Sequence, residues 1–321
     1  MTGLSIIGSS IIVFLAALFY AVIKWAYSIG FGTREAHKDA EKKIPLIEQC
    51  QMFRDRMEED ADEIMNEPCE RISIMSKDGL RLSARLYEWE ARQPVIIAFH
   101  GYRSTPVRDC APIFKIAKKM GCRLILVDQR THGNSEGETI AMGIKERHDC
   151  KLWAEYAVER FGEKTEIVLA GYSMGASTIL MAAGLHLPKQ VKGILADCGY
   201  SDVKTIVTFV GDRMRFPFGI KIQGRWSYPF ARLGARIFGN FDPEETSPKD
   251  ILKKCTIPIL FIHGEKDGLV PVWMGQENYE ACASEKEMLL IPKADHCMSY
   301  YMDTKKYVEK VVCFLQKYTD I

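Results

Sequence analysis

The sequence predicts an α/β fold with a mostly parallel sheet and helices on both faces. From Arg71 onward, short apolar runs rich in Val, Ile and Leu alternate with longer segments of helical pattern. The runs are apolar at successive positions, as expected of strands buried on both faces. The chain has 321 residues, 47% hydrophobic and 26% charged, enough for one core of roughly 250 residues plus appendages. The net charge of +1 gives no electrostatic reason to expect nucleic acid as a partner.

The elements follow in order. Met1 to Ile23 holds no Lys, Arg, Asp or Glu, and its centre, from Ile11, is apolar on every face. Such a run is long enough to cross a hydrocarbon core of ~30 Å, and it lacks the basic start of a secretory signal. Residues 1–30 are therefore expected to be a transmembrane anchor, with Tyr20, Trp25 and Tyr27 as an interfacial aromatic belt. Lys24, Arg34, Lys38, Lys42 and Lys43 all follow the run, so a single-pass protein with its enzyme domain on the cytoplasmic side is expected. Residues 31–70 read as a charged helical connector with a loose stripe of Met52, Met57, Ile64 and Met65, and with no functional role for its charges.

Residues 71–321 form the main domain. Arg71–Met75 and Leu80–Tyr87 flank Asp78-Gly79, a hairpin signal. The remaining strands are expected at Pro94–Phe99, Cys122–Val127, Glu166–Ala170, Val191–Ala196, Ile257–Ile262 and Glu287–Ile291. Helices are expected at Ala111–Met120, Ile144–Phe161, Met174–Leu187, Trp273–Ala283 and Lys305–Tyr318. The ten cysteines include no C-x-x-C pair, which argues against a zinc site. Free thiols in apolar surroundings, such as Cys122 and Cys313, are the expected state.

In a parallel sheet, chemistry gathers at the carboxyl ends of the strands. After Glu166–Ala170 comes Gly171-Tyr172-Ser173-Met174-Gly175 and then a helix: G-x-S-x-G in its strand–turn–helix setting. A serine hydroxyl needs a general base, and the base an orienting carboxylate. Asp267 and His296 follow the next two suitable strands, in the chain order Ser, Asp, His. Glu265 is the nearest rival to Asp267, and Asp295 is expected to be structural. An oxyanion would need two backbone donors; the amides of Met174 and Tyr102 are expected there, with His100 as a weaker second base.

Phe99-His100-Gly101, Asp128–Ser135, Gly171–Gly175, Ala196–Ser201, His263–Pro271 and Ala294-Asp295-His296 together resemble the α/β-hydrolase superfamily. More narrowly, they are similar to the membrane-anchored serine hydrolases of low-GC Gram-positive bacteria, grouped with esterases and acyl-peptidase-like proteins. The likeness covers about residues 70 to 318 and speaks to fold and triad more than to substrate. It implies that Asp128, Arg130 and His132 form a structural turn and that residues at about 203–249 form a cap over the site. Asp197 and Cys198 are expected to brace the site, and His148 and Asp149 to be a surface or packing pair.

Within Gly211–Asn240, Arg213, Arg215, Lys221, Arg225, Arg232 and Arg236 face a single acid, Asp212, among Phe216, Phe218, Trp226, Tyr228, Phe230 and Phe238. Such a cap suits an apolar acyl group, an anionic lipid surface or an acidic substrate; an ordinary lid with a solvated basic face competes. The leading expectation is hydrolysis of small-molecule or lipid-like carboxylic esters through an acyl-enzyme, with no metal or organic cofactor. A peptidase, amidase or acyltransferase with the same triad is the nearest alternative. A non-catalytic, membrane-tethered binding protein is the alternative from another class.

Overall fold

The computed structural model describes residues 3–33, 44–45, 47–90, 92–214 and 221–320. Arg34, Lys38, Lys42, Lys43, Arg215, Phe216 and Phe218, invoked above, lie outside them. The chain opens with α1 (Gly3–Gly30), α2 (Glu48–Met52), α3 (Arg54–Asn66), β1 (Glu70–Met75), β2 (Arg81–Tyr87) and β3 (Arg92–Phe99). It continues with α4 (Pro106–Asp109), α5 (Ala111–Met120), β4 (Cys122–Asp128), α6 (Glu146–Phe161), β5 (Ile167–Tyr172), α7 (Met174–Ala182) and β6 (Val191–Asp197). The last third holds α8 (Val203–Gly211), α9 (Gly224–Phe238), α10 (Pro248–Leu252), β7 (Ile259–Gly264), α11 (Val272–Ala281), β8 (Lys286–Ile291), α12 (Ser299–Met302) and α13 (Thr304–Tyr318).

The eight strands form one sheet in the order β1-β2-β4-β3-β5-β6-β7-β8. β2 runs antiparallel to both β1 and β4, and the other pairs are parallel. All eight expected strands are present, with ends shifted by one or two residues. The Asp78-Gly79 turn closes the β1–β2 hairpin, with Gly79 at φ 83°. Along β3, Ile96 and Ala98 point to the core that holds Phe114 of α5 and Phe314 of α13. Val95, Ile97 and Phe99 point to the opposite core, with Trp153 of α6 and Ile179 of α7. Both faces of the central strands are therefore apolar, which is why the strand signal lacked alternation.

Two helices are shorter than their apolar patterns. α6 begins at Glu146 instead of Ile144, because Gly143 is left-handed at φ 84° and Glu146 caps the amides of Ala141 and Gly143 at 2.8 Å. α7 stops at Ala182, short of Leu187, and turns then close on Gly184 and Leu185. All ten cysteines are free thiols. Cys313 corrects the expectation: it lies exposed on the outer face of α13, while Cys122 is buried.

From Ser9 to Gly30, α1 is long and apolar enough to cross a membrane. Its final turns do not stand apart from the rest. Phe31 is fully buried and meets Phe241 edge-on at 5.3 Å, and the Tyr27 and Thr139 hydroxyls lie 2.6 Å apart. α8 and α9 lie in the segment expected to form a cap; they pack on each other, and α9 packs along α1. Phe19 meets Phe230, a Cβ on Gly234 would touch Tyr27 and the Ile23 carbonyl, and Phe238 meets both Tyr20 and Tyr27 at 5.5 Å.

Candidate active site

β5 ends at Tyr172 and α7 begins at Met174, leaving Ser173 alone in the turn at φ 55° and ψ −117°. A non-glycine residue in this region is strained, and the surrounding packing must hold it there. The packing is tight: a Cβ on Gly175 would lie 2.1 Å from the Phe99 carbonyl oxygen. The Ser173 amide donates to the Asp197 carbonyl at 2.9 Å, tying the turn to the end of β6.

The three residues selected from the sequence meet. His296 Nε2 lies 2.9 Å from Ser173 Oγ, and His296 Nδ1 lies 2.8 Å from Asp267 Oδ2. Asp267 is held from its other side by the amides of Leu269 and Val270, which donate to Oδ1 at 2.9 and 2.8 Å. Because an ionised carboxylate accepts only, Nδ1 carries the proton and Nε2 is left to accept from the serine. Burial raises the Asp267 pKa, but His296 and His263 outweigh it and hold the carboxyl well below its usual range. Burial likewise disfavours a charged His296; the neighbouring Cys297 and Asp267 outweigh it and raise the imidazole well above its ordinary value.

Of the expected oxyanion donors, Met174 follows Ser173 in the chain and Tyr102 follows Gly101 in the loop after β3. Met174 is the first residue of α7, where amides have no partner within the helix. In the loop, Gly101 donates its amide to Asp109 Oδ2 at 2.8 Å, which fixes the loop and leaves Tyr102 as the next residue in line. A Cβ on Gly101 would come within 3.2 Å of the Ser173 Cβ, so only glycine lets the loop approach this closely. The rivals have other work. His100 is buried, with Nδ1 at 2.8 Å from the Gly101 carbonyl and Nε2 accepting from the Gln129 amide at 3.2 Å. Glu265 is exposed. Asp295 Oδ1 accepts from the amides of Gly268 and His296 at 2.9 and 2.7 Å, shaping the loop that carries His296.

Within the Asp128–Ser135 segment, Asp128 Oδ2 accepts from the Asn134 amide at 3.1 Å and the Ser135 hydroxyl donates to the Asp128 carbonyl. Arg130 is buried and clamped by Asp149 at 2.7 and 2.8 Å and by Asp78 at 2.9 and 3.2 Å. Asp149 is therefore a buried ion-pair partner of Arg130, and His148 beside it is half-buried. His132 Nε2 accepts from the Arg103 amide at 3.2 Å. Asp197 is buried and accepts from the Tyr307 hydroxyl at 3.1 Å.

Three features were not read from the sequence. The connector belongs to the site: Ile47, Cys50 and Met57 line a cavity of about 170 Å³ beside Ser173 and His296, together with Leu269, Met298 and Tyr301. Gln49 of α2 accepts from the Asp295 amide at 2.9 Å and donates to the Lys293 carbonyl at 2.7 Å, pinning the His296 loop. Cys198 and Cys297 sit with sulfurs 3.4 Å apart, and both lie with a ring nitrogen of His296 inside a 4.8 Å cluster of soft donors. No spacing rule joins residues 99 positions apart, so only the fold brings these thiols together. Within residues 203–249, Arg232 and Arg236 are neutralised by Asp242, and Arg232 also by Glu244. These acids lie just beyond the window in which the sequence showed a single acid.

An eight-stranded, mostly parallel sheet with this strand order and helices on both faces defines an α/β-hydrolase, and solved relatives agree. An esterase from Pyrococcus furiosus superposes with a TM-score of 0.63 at 21% identity, covering 80% of this chain and 96% of that one. The chain belongs to the prolyl oligopeptidase family, whose model matches residues 139–321. It is 27% identical to the uncharacterised protein YqkD of Bacillus subtilis, over 63% of this chain and 64% of that protein, just under two thirds of its length. It is 24% identical to the lysophosphatidylserine lipase ABHD12 of Danio rerio, over 67% of this chain and 54% of that protein. The chain has the α/β-hydrolase fold.

Proposed function

We propose that this protein is a membrane-anchored serine hydrolase that cleaves carboxylic esters through an acyl-enzyme. The observation that carries the reading is the chain of contacts from Asp267 through His296 to Ser173, at 2.8 and 2.9 Å.

Ser173 Oγ attacks the ester carbonyl carbon while His296 Nε2 takes the hydroxyl proton. The Met174 and Tyr102 amides hold the oxyanion of the tetrahedral intermediate. Its collapse breaks the bond to the alcohol oxygen, and the imidazolium protonates the departing alkoxide. Water then gives a proton to Nε2 as it attacks the acyl-serine, and the acid leaves as the proton returns to Ser173. Asp267 keeps the proton-bearing Nδ1 in place throughout and balances the charge of the imidazolium. Residues 31–70 supply one wall of the acyl pocket, residues 71–321 the catalytic scaffold, and residues 203–249 the cap. Residues 1–30 anchor the protein, and the positive-inside rule puts the enzyme domain on the cytoplasmic side.

The apolar cavity wall supports an acyl group as the occupant, and the likeness to an esterase and a lipase points the same way. The family name favours a second reading, a peptidase or amidase with the same residues. A peptidase that grips a free amine needs an accessible carboxylate in the cavity. Asp109 lines it, but its oxygens are occupied by the Gly101 amide at 2.8 Å and by Arg108 at 3.1 Å.

Turnover of p-nitrophenyl esters of increasing chain length, beside peptidyl p-nitroanilides, tests the reading. Ester hydrolysis is expected at least ~100-fold above anilide hydrolysis, and Ser173→Ala and His296→Ala are expected to lose at least ~1000-fold in kcat. A preference for anilides would support the peptidase reading. Undiminished ester turnover in Ser173→Ala would reject the serine mechanism.

A further inference from the structure

Two thiols meet beside the imidazole of His296, and the proposed chemistry uses neither. Their sulfurs lie 3.4 Å apart, and both lie within 4.8 Å of a ring nitrogen of His296. Cys198 directly follows β6, while Cys297 sits in the loop after β8, next to His296 in the chain. Both are free thiols, and both are held at positive φ, 48° and 59°, as Ser173 is at 55°. Backbone strain of this kind persists only where the surrounding structure holds it. Here it falls on three residues whose side chains gather around one histidine.

The two sulfurs differ in access. Cys297 lines the cavity that also contains Ser173 and His296. Cys198 is buried, and its amide donates to the Ile262 carbonyl at 2.9 Å, which fixes it to β7. A small reagent entering the cavity therefore meets Cys297 first. The two also differ in charge. The hydrogen bond from the Cys198 thiol, with help from His296 and against burial, draws the Cys297 pKa down to about 6. Burial and then Cys297 itself push the Cys198 thiol well up. A cavity-facing thiolate backed by a protonated thiol is the arrangement of an attacking and a resolving cysteine.

We infer that Cys198 and Cys297 form an oxidation site, which a small hydroperoxide joins into a disulfide that disables the catalytic histidine. The effect on activity rests on the triad reading above; the bond itself does not. The Cys297 thiolate attacks one peroxide oxygen, the O–O bond breaks, and hydroxide leaves a sulfenic acid behind. Cys198 gives its proton to that hydroxide and attacks the Cys297 sulfur; the S–O bond breaks and a second hydroxide leaves. Two electrons thus pass from the sulfurs to the peroxide. A disulfide of about 2.05 Å brings the sulfurs roughly 1.3 Å closer than they stand. Cys198 is fixed at a strand end, so the movement falls on the Cys297 loop. That loop carries His296, whose Nε2 lies 2.9 Å from Ser173 Oγ. A shift of ~1 Å is enough to misalign base and nucleophile. The bond also removes the negative charge that Cys297 places beside the imidazole.

The test uses the full-length, detergent-solubilised protein. It is treated with hydrogen peroxide, alkylated with iodoacetamide and mapped by peptide mass, with ester turnover read before and after dithiothreitol. The expected result is a linked Cys198–Cys297 peptide and a kcat/KM ~10-fold or more below the reduced protein, recovered by dithiothreitol. Methionine oxidation is not recovered by that thiol, so it is told apart. Cys198→Ala is expected to form no link and to carry a dimedone adduct of the sulfenic acid on Cys297. Both thiols alkylated after peroxide, or a linked peptide with unchanged turnover, would overturn the inference. So would reaction at the exposed Cys69 and Cys313 with Cys297 untouched. Because the mapping needs no turnover, a linked peptide in a protein that hydrolyses no ester would reject the proposed function and keep the oxidation site.

Discussion

The Tyr102 hydroxyl donates to the Gly30 carbonyl at 3.0 Å, joining the loop beside the nucleophile to the end of the apolar N-terminal helix. Arg103, the next residue, donates through one guanidinium nitrogen to the carbonyls of Ile29 and Gly32 at 3.0 and 2.8 Å. Two neighbouring side chains thus cap the helix from the loop whose Gly101 comes within 3.2 Å of the Ser173 Cβ, measured from an added Cβ. Tyr102→Phe keeps that backbone and deletes one tether. The expected effect is ~1 kcal/mol of stability and a several-fold fall in kcat with KM little changed, read by thermal unfolding and steady-state kinetics. A loss confined to stability would show that the tether does not position the loop.

Gly175→Ala tests the turn at the nucleophile. The added methyl meets the Phe99 carbonyl oxygen at 2.1 Å, and backbone at the centre of a sheet cannot yield cheaply. A loss of ~4 kcal/mol or more is expected, together with loss of activity, measured by denaturant unfolding. Near-normal stability would mean that α7 can move away from β3.

The Arg130–Asp149 pair is a matter of stability and not of catalysis. Both side chains are 5% exposed, so removing Asp149 leaves the buried Arg130 only its pairing with the more exposed Asp78. Asp149→Asn should cost ~3 kcal/mol or more, while the folded fraction keeps its kcat. A fall in kcat at unchanged stability would place this turn in the chemistry after all.

Cys297 sets a pH dependence. The Cys198 thiol donates to it and His296 adds positive charge, which together draw Cys297 down to about 6. In turn the thiolate, with Asp267, raises the His296 pKa. Only neutral imidazole accepts the serine proton, so activity falls as pH drops through the raised His296 value. Cys297→Ser removes a raising influence, and the acid limb of kcat/KM should move to lower pH. An unmoved limb would show that Cys297 is not charged in the working enzyme.

Much of this was legible because it is local. The run Gly171–Gly175 between a strand and a helix forces one backbone geometry, and Asp267 and His296 follow strands whose apolar runs are unmistakable. The connector was not legible. The loose stripe of Met52, Met57, Ile64 and Met65 did not mark Ile47 and Cys50; Cys50 and Met57 line the cavity as part of the core that holds Phe114, and Ile47 packs against it. Gln49 acts by hydrogen bonds to a loop almost 250 residues away, which no periodicity reports. The cap misled for a related reason: the acids that neutralise Arg232 and Arg236 follow α9 instead of lying within it.

The central claim is that Ser173 is the nucleophile, and reaction with a fluorophosphonate probe followed by peptide mapping addresses it most directly. The expected result is one phosphonylated residue, Ser173, with no labelling in Ser173→Ala and slow labelling in His296→Ala. Folded wild-type protein that stays unlabelled, or carries the label on another side chain, would contradict the account.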